Sequence, residues 1–194
     1  MNIGIYIYEN AEVLDFAGPF EVFSVASRFL EESKKFNVLL ISEKDEQVTA
    51  RGGFKVNSNH IFENAPNIDV LIVVGGVHNK ELEKGDVIKW IKKSSINAKL
   101  TASVCTGAFL LAEANIITTH KVTTHWEDID DLQSSYPSLK VISNKRWIDE
   151  GNVVTSGGIS AGIDMSLHLV SKIYGEELAL KTANQMEFDW TKNS

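Results

Sequence analysis

Residues 99–113 read KLTASVCTGAFLLAE and place the only cysteine of this 194-residue chain, Cys105, between two different patterns. The run before the cysteine is short and apolar, which is typical of a strand buried on both faces of a parallel sheet. The residues after it are mostly small and apolar, and their length and composition favour a helix. The stretch therefore predicts a strand over 99–104, a tight turn at Cys105 and a helix near 106–115.

The same alternation of short apolar runs and longer helical patterns extends along the chain in both directions. Further strands are predicted over 2–8, 36–42, 70–74 and 152–156, and further helices near 19–33, 80–94, 126–134, 160–174 and 176–187. Glu150-Gly151 lies between two strand-like runs and predicts a hairpin. This order predicts an α/β fold: a three-layer sandwich, flavodoxin-like in layout, with a mostly parallel sheet and helices on both faces.

Composition limits the class of protein. With 43% hydrophobic and 23% charged residues, and no repeat or flexible linker, residues 1–194 are expected to form one domain. The net charge is −7 and the basic residues are scattered, so nucleic acid is not an expected partner. No apolar run is long enough for a membrane span and no signal peptide is evident at the start, so we expect a cytoplasmic protein with no membrane contact.

Metal and disulfide chemistry find no support in the sequence. A single cysteine excludes an intrachain disulfide. The five histidines show no spacing typical of metal ligands, so no metal site is predicted.

Ligands of open α/β sheets bind beyond the carboxyl ends of the strands. Gly75-Gly76, Cys105 and Gly157-Gly158 each follow a predicted strand. The Gly76 N–H either belongs to a simple tight turn or faces a substrate anion, like an oxyanion donor.

Cys105 has two interpretations. A lone cysteine is usually a small buried apolar residue. A thiol on a tight turn at a helix N-terminus instead meets unpaired N–H groups, which lower its pKa below the free value of about 8.5 and favour attack by the thiolate. Thr106 and Gly107 tolerate such a turn, which is similar to a nucleophile elbow.

Three further side chains are candidates for proton transfer. Asp15 precedes a helix predicted to begin at Pro19 with Gly18 as N-cap, so Asp15 lies too early in the chain to be a good cap. Capping is therefore the weaker interpretation, and a carboxyl near the thiol can instead hold or transfer a proton. Glu21 is a secondary candidate because of its closeness to Asp15, although it also suits an exposed helix face. His125 is either a general acid/base or a structural hydrogen-bonding group.

Five motifs in this order resemble the DJ-1/PfpI superfamily. They are VLDFAGPFEVF, IVVGG, SVCTGAFLLAEANII, VTTHWED and TSGGISAGIDMSLHLV, and together they extend over nearly the whole chain. The resemblance is strongest to the branch that contains isonitrile hydratases and the sensor domains of AraC-like regulators. It implies Cys105 as nucleophile, Asp15 as its acid/base partner, and Gly75, Gly76 and Thr106 along the pocket, with Ile159 near the sulfur.

What the resemblance implies for activity is hydration of a small isocyanide to an N-substituted formamide without a cofactor. Thr106 stands where protease-like members have histidine, which disfavours peptidase chemistry. Two alternatives stay open: another enzyme of the superfamily acting on small carbonyls, and a non-enzymatic redox or ligand sensor. Relatives also imply a homodimer, for which Phe20 and Phe23 near the site add weak support.

Overall fold

A seven-stranded sheet forms the centre of the computed structural model, which describes residues 1–193. The strands in chain order are β1 (Asn2–Tyr6), β2 (Asn37–Ser42), β3 (Gln47–Thr49), β4 (Lys55–Asn57), β5 (His60–Ile61), β6 (Val70–Val73), β7 (Leu100–Val104), β8 (Lys121–Val122), β9 (Lys140–Val141), β10 (Trp147–Asp149) and β11 (Val153–Ser156). The central sheet has the order β10-β11-β7-β6-β1-β2-β5. Its pairs are parallel except β10 with β11, which form the predicted hairpin.

Residues 1–193 contain seven α-helices. They are α1 (Val13–Ser27), α2 (Asn79–Leu82), α3 (Gly85–Asn97), α4 (Gly107–Glu113), α5 (Ile129–Ser135), α6 (Ala161–Tyr174) and α7 (Glu176–Gln185). One group, α1 with α6 and α7, packs together, and a second group, α2 with α3 and α4, packs together. The predicted α/β fold with a mostly parallel sheet between helices is therefore confirmed.

The central strands are buried along nearly their whole length. Ile5 of β1, Ile72 of β6 and Ala102 of β7 have no solvent exposure. Because helices cover both faces, these strands need apolar side chains at successive positions rather than at alternate ones. This explains why the apolar runs in the sequence predicted five strands to within about two residues, whereas β3, β4, β5, β8 and β9, of two or three residues each, were missed or left without bounds.

The predicted start of the first helix is wrong. The helix over 19–33 lies at 13–27 instead, so Pro19 is inside α1 and Asp15 is in its first turn. Proline favours the first position of a helix, and an interior proline removes one helical hydrogen bond, so the sequence predicts a start at Pro19. Tertiary packing offsets this cost, since a Cβ on Gly18 would come 2.9 Å from Ile163 Cγ1 of α6.

Two other predicted helices are present but are interrupted or begin differently. The helix predicted over 80–94 is divided into α2 and α3, and the one predicted over 126–134 begins as a 3-10 turn at Trp126–Asp128 before α5. The helices predicted near 106–115, 160–174 and 176–187 are present.

Three broader expectations concern membrane spans, domain organisation and oligomeric state. No helix within residues 1–193 is both apolar enough and long enough to cross a lipid bilayer. One domain over 1–194 stays a prediction, and Ser194 lies outside the described residues. The homodimer also stays a prediction, but Phe23 is fully buried and Phe20 packs against the core, so neither supports it.

Candidate active site

Cys105 lies on a strained turn between β7 and α4. Its φ is 56°, in the left-handed region that costs a residue with a side chain roughly 1–3 kcal/mol. Two contacts hold it there: the Cys105 N–H donates to Ser156 O at 3.2 Å, and Thr124 Oγ1 donates to Cys105 O at 2.8 Å. Two residues later, glycine is required at Gly107 because a Cβ there would overlap the carbonyl of Val73. The predicted elbow is therefore present, and Cys105 is a buried residue with 7% of its surface exposed.

Asp15 is fully buried beside this elbow. Its Oδ2 accepts the Gly75 N–H at 3.1 Å and its Oδ1 accepts the Ile159 N–H at 3.0 Å. Burial raises the pKa of the carboxyl to about 7, although the two amide bonds and a hydrogen bond to Cys105 oppose the increase. Near neutral pH this carboxyl can both accept and release a proton.

The predicted low pKa of Cys105 is wrong. Burial raises the pKa of the thiol well above its ordinary value, and the nearby charge of Asp15 raises it further. The Thr106 N–H favours the thiolate, but one backbone donor at the start of the seven-residue helix α4 does not offset the loss of water. The thiol is therefore protonated in the resting site, and Asp15 is the hydrogen-bonded neighbour that can accept its proton.

The glycine pair closes the back of the elbow. A Cβ on Gly75 would come 2.6 Å from Cys105 Cβ and from Thr106 N, so only glycine fits this position. Gly76 has a φ of 142°, and its N–H donates to Thr106 Oγ1 at 3.0 Å. Of the two interpretations of the Gly76 N–H, this hydrogen bond favours the turn, while Gly76 itself lines the pocket as predicted. The Thr106 N–H beside the sulfur is the donor that fits the oxyanion role.

A second turn, residues 157–160, faces the thiol from the opposite side. Ile159 has a φ of 57° and is 40% exposed, and its N–H donates a hydrogen bond to Asp15 Oδ1. A Cβ on Gly158 would come 3.1 Å from Cys105 Sγ and would overlap the ring of His125. Gly158 therefore separates the thiol from the imidazole, and sequence reasoning noted it only as a strand end.

His125 is close to the thiol but is oriented by its own neighbours. Its Nδ1 lies 3.4 Å from Asp128 Oδ2 and accepts the Glu127 N–H at 3.4 Å. The imidazole lines the pocket with Cys105. The structure thus brings His125 into the site in a position that suits either a structural or a proton-transfer role.

A pocket of about 590 Å³ opens onto Cys105. Besides residues already described, its lining contains His78, which follows the glycine pair, and polar and charged side chains that the sequence did not indicate: Glu12, Arg51, Asn79, Glu127 and Asp128. Glu12 and Arg51 form an ion pair at 3.4 Å. They come from separate loops, so no local motif could identify them.

Glu21 is not brought into the site. It is half-exposed on α1 and pairs with Arg28 at 3.6 Å, whereas Asp15 points into the interior. Six positions along a helix place the two carboxylates on different faces. Within residues 1–193, no group of three or more His, Cys, Asp or Glu side chains is arranged to hold a metal ion.

Comparison with known proteins gives consistent matches. The model of the DJ-1/PfpI family matches residues 1–172. The HTH-type transcriptional regulator CdhR of Pseudomonas aeruginosa is 34% identical over 173 residues, which cover 89% of this chain and 51% of the regulator. Isonitrile hydratase of Pseudomonas putida is 31% identical over 190 residues, which cover 97% of this chain and 78% of the hydratase. The chain thus spans about half the length of CdhR.

The fold has equally clear counterparts among solved structures. A THiJ/PfpI family protein from Pseudomonas syringae superposes with a TM-score of 0.86 at 22% identity, covering 98% of this chain and 76% of that one. At this identity the likeness concerns the fold alone.

Proposed function

The chain belongs to the DJ-1/PfpI family, and we propose that it is a cofactor-free hydratase in which Cys105 adds to a small isocyanide. The observation that carries this proposal is the pairing of a thiol on a strained elbow with a fully buried carboxyl whose pKa is about 7. Cys105 lines a pocket that is open to a small molecule, and Asp15 lies buried beside the thiol. The 31% identity to isonitrile hydratase supports the choice of substrate class.

The first step joins the sulfur to the substrate. The Cys105 proton passes to Asp15, and the sulfur forms a bond with the terminal carbon of R–N≡C. The same carbon then takes the proton from Asp15, which gives a thioimidate, R–N=CH–S–Cys105. Because the buried carboxyl has a pKa of about 7, it can perform both transfers without a large penalty at neutral pH.

The second step releases the product. Water adds to the thioimidate carbon, and one of its protons goes to the nitrogen. The carbon–sulfur bond then breaks, the remaining hydroxyl proton returns to the sulfur, and R–NH–CHO leaves. Asp15, held by the Gly75 and Ile159 amides, is placed to carry these protons. The net reaction is the addition of one water to the isocyanide.

A ligand sensor is the second candidate. The 34% identity to CdhR over 89% of this chain favours it, because a sensor would keep the pocket without turnover. Both functions place a small molecule next to Cys105, so binding alone does not separate them.

Product counting separates the two. We expect the protein mixed with a several-fold excess of a small isocyanide to form well over one equivalent of formamide per chain. Cys105→Ala should form none, and methylglyoxal run in parallel tests the carbonyl alternative. No formamide, or a single stable adduct on Cys105 without further product, would contradict the hydratase proposal.

A further inference from the structure

Arg146 holds the turn that carries Ile159 from the side opposite Cys105. Its carbonyl accepts the Gly157 N–H at 2.9 Å, and both terminal guanidinium nitrogens donate to Ser160 Oγ at 3.3 Å. One side chain and its backbone therefore fix both ends of the turn 157–160.

The guanidinium is itself fixed by Asp164, which has no solvent exposure in the first turn of α6. Arg146 Nε donates to Asp164 Oδ2 at 2.7 Å, and Nη2 donates to the same oxygen. The other oxygen accepts the Thr191 N–H at 2.8 Å, and the Asp164 carbonyl accepts Trp190 Nε1 at 3.1 Å. Charge-assisted bonds of this kind are short and directional, so the position of Arg146 is well defined.

The turn needs such support. A β-branched residue at a φ of 57° is a conformational outlier, which persists only where surrounding contacts impose it. That conformation directs the Ile159 N–H at Asp15 Oδ1, 3.0 Å away.

We propose that Arg146 is a positioning residue for Asp15: by fixing the turn 157–160 it keeps the Ile159 N–H on the carboxyl and sets the pH at which Asp15 titrates. This rests on the proposed role of Asp15 as the proton partner of Cys105. An amide donor stabilises the charged carboxylate, so loss of this bond should move the titration of the pair to higher pH.

The experiment measures the rate of Cys105 alkylation by iodoacetamide against pH, with folding checked by circular dichroism. Arg146→Met removes the guanidinium but leaves the buried Asp164 unpaired, which endangers the fold. The double variant Arg146→Met/Asp164→Leu replaces the pair with apolar side chains and leaves the net charge unchanged. Lys172→Met is the control, because it removes an α6 cation that pairs with Asp149 at 2.8 Å and does not contact the turn.

We expect the double variant to raise the alkylation midpoint by about one pH unit, a tenfold slower reaction on the acid side, while Lys172→Met keeps the native midpoint. A folded double variant with the native midpoint would overturn the role of Arg146 and leave the proposed function standing. A native protein without a midpoint near neutral pH would overturn both.

Discussion

Replacing Asp15 by Asn is expected to lower turnover per folded molecule by at least about a hundredfold. A positioned acid/base group contributes on the order of 10²–10⁴ to rate, and the amide of Asn cannot hold the Cys105 proton. Since burial raises the thiol pKa well above its ordinary value, little thiolate exists at neutral pH without this proton acceptor. The measurement is the initial rate of formamide formation at pH 7.

The substitution should also reduce the free energy of unfolding by about 1–3 kcal/mol, measured by urea denaturation. Both carboxyl oxygens accept backbone N–H groups, whereas Asn offers one oxygen, so one buried N–H would face an NH₂ group. The matched control is Asp86→Asn, which removes a carboxylate of the same size from an exposed helix position. Turnover that stays within a factor of three of native in folded Asp15→Asn would rule out the proton-carrier role.

Gly75→Ala is expected to reduce alkylation of Cys105 and turnover at least about tenfold. The added methyl group would come 2.6 Å from Cys105 Cβ and Thr106 N, and 2.9 Å from Asp15 Oδ2. Two of these atoms belong to the elbow, which has little freedom to move because Gly107 packs directly against β6. Overpacking of this kind typically costs about 1–3 kcal/mol of stability.

The control for this change is Gly85→Ala. Gly85 is the first residue of α3, and a Cβ there meets no atom within 4 Å. We expect native activity and a stability at least equal to native, because alanine is the better helix former. If Gly75→Ala kept the same alkylation rate and turnover as Gly85→Ala, close packing at Gly75 would not be needed for the reactivity of the Cys105 thiol.

The fold was predictable because its signals are local. Each central strand is an apolar run of four to six residues, and the glycines that follow β6, β7 and β11 mark the strand ends where the site lies. The elbow at Cys105 could be predicted for the same reason, since strand, turn and helix are consecutive in the sequence. The resemblance to the DJ-1/PfpI family, read from five motifs, is confirmed by the match over residues 1–172.

The errors concern properties that depend on distant residues. The predicted start of α1 is wrong because the helix continues through Pro19 and packs Gly18 closely on Ile163, a contact between residues far apart in sequence. The predicted direction of the thiol pKa shift is wrong because burial and the charge of Asp15, ninety positions away in sequence, exceed the effect of one backbone donor. The sequence leaves the role of the Gly76 N–H open, because its bond to Thr106 Oγ1 joins residues thirty positions apart.

The central claim is that Cys105 and Asp15 share one proton, and the pH dependence of Cys105 alkylation tests it most directly. Below pH about 7 the pair holds both protons; above it Asp15 is ionised and can accept the proton of the Cys105 thiol as the sulfur reacts. We therefore expect the native rate to rise about tenfold per pH unit below 7 and to level off above it. In Asp15→Asn the rise should occur only at alkaline pH, because burial raises the thiol pKa and no partner remains. A native profile that rises only at alkaline pH, with the same midpoint as Asp15→Asn, would contradict the account.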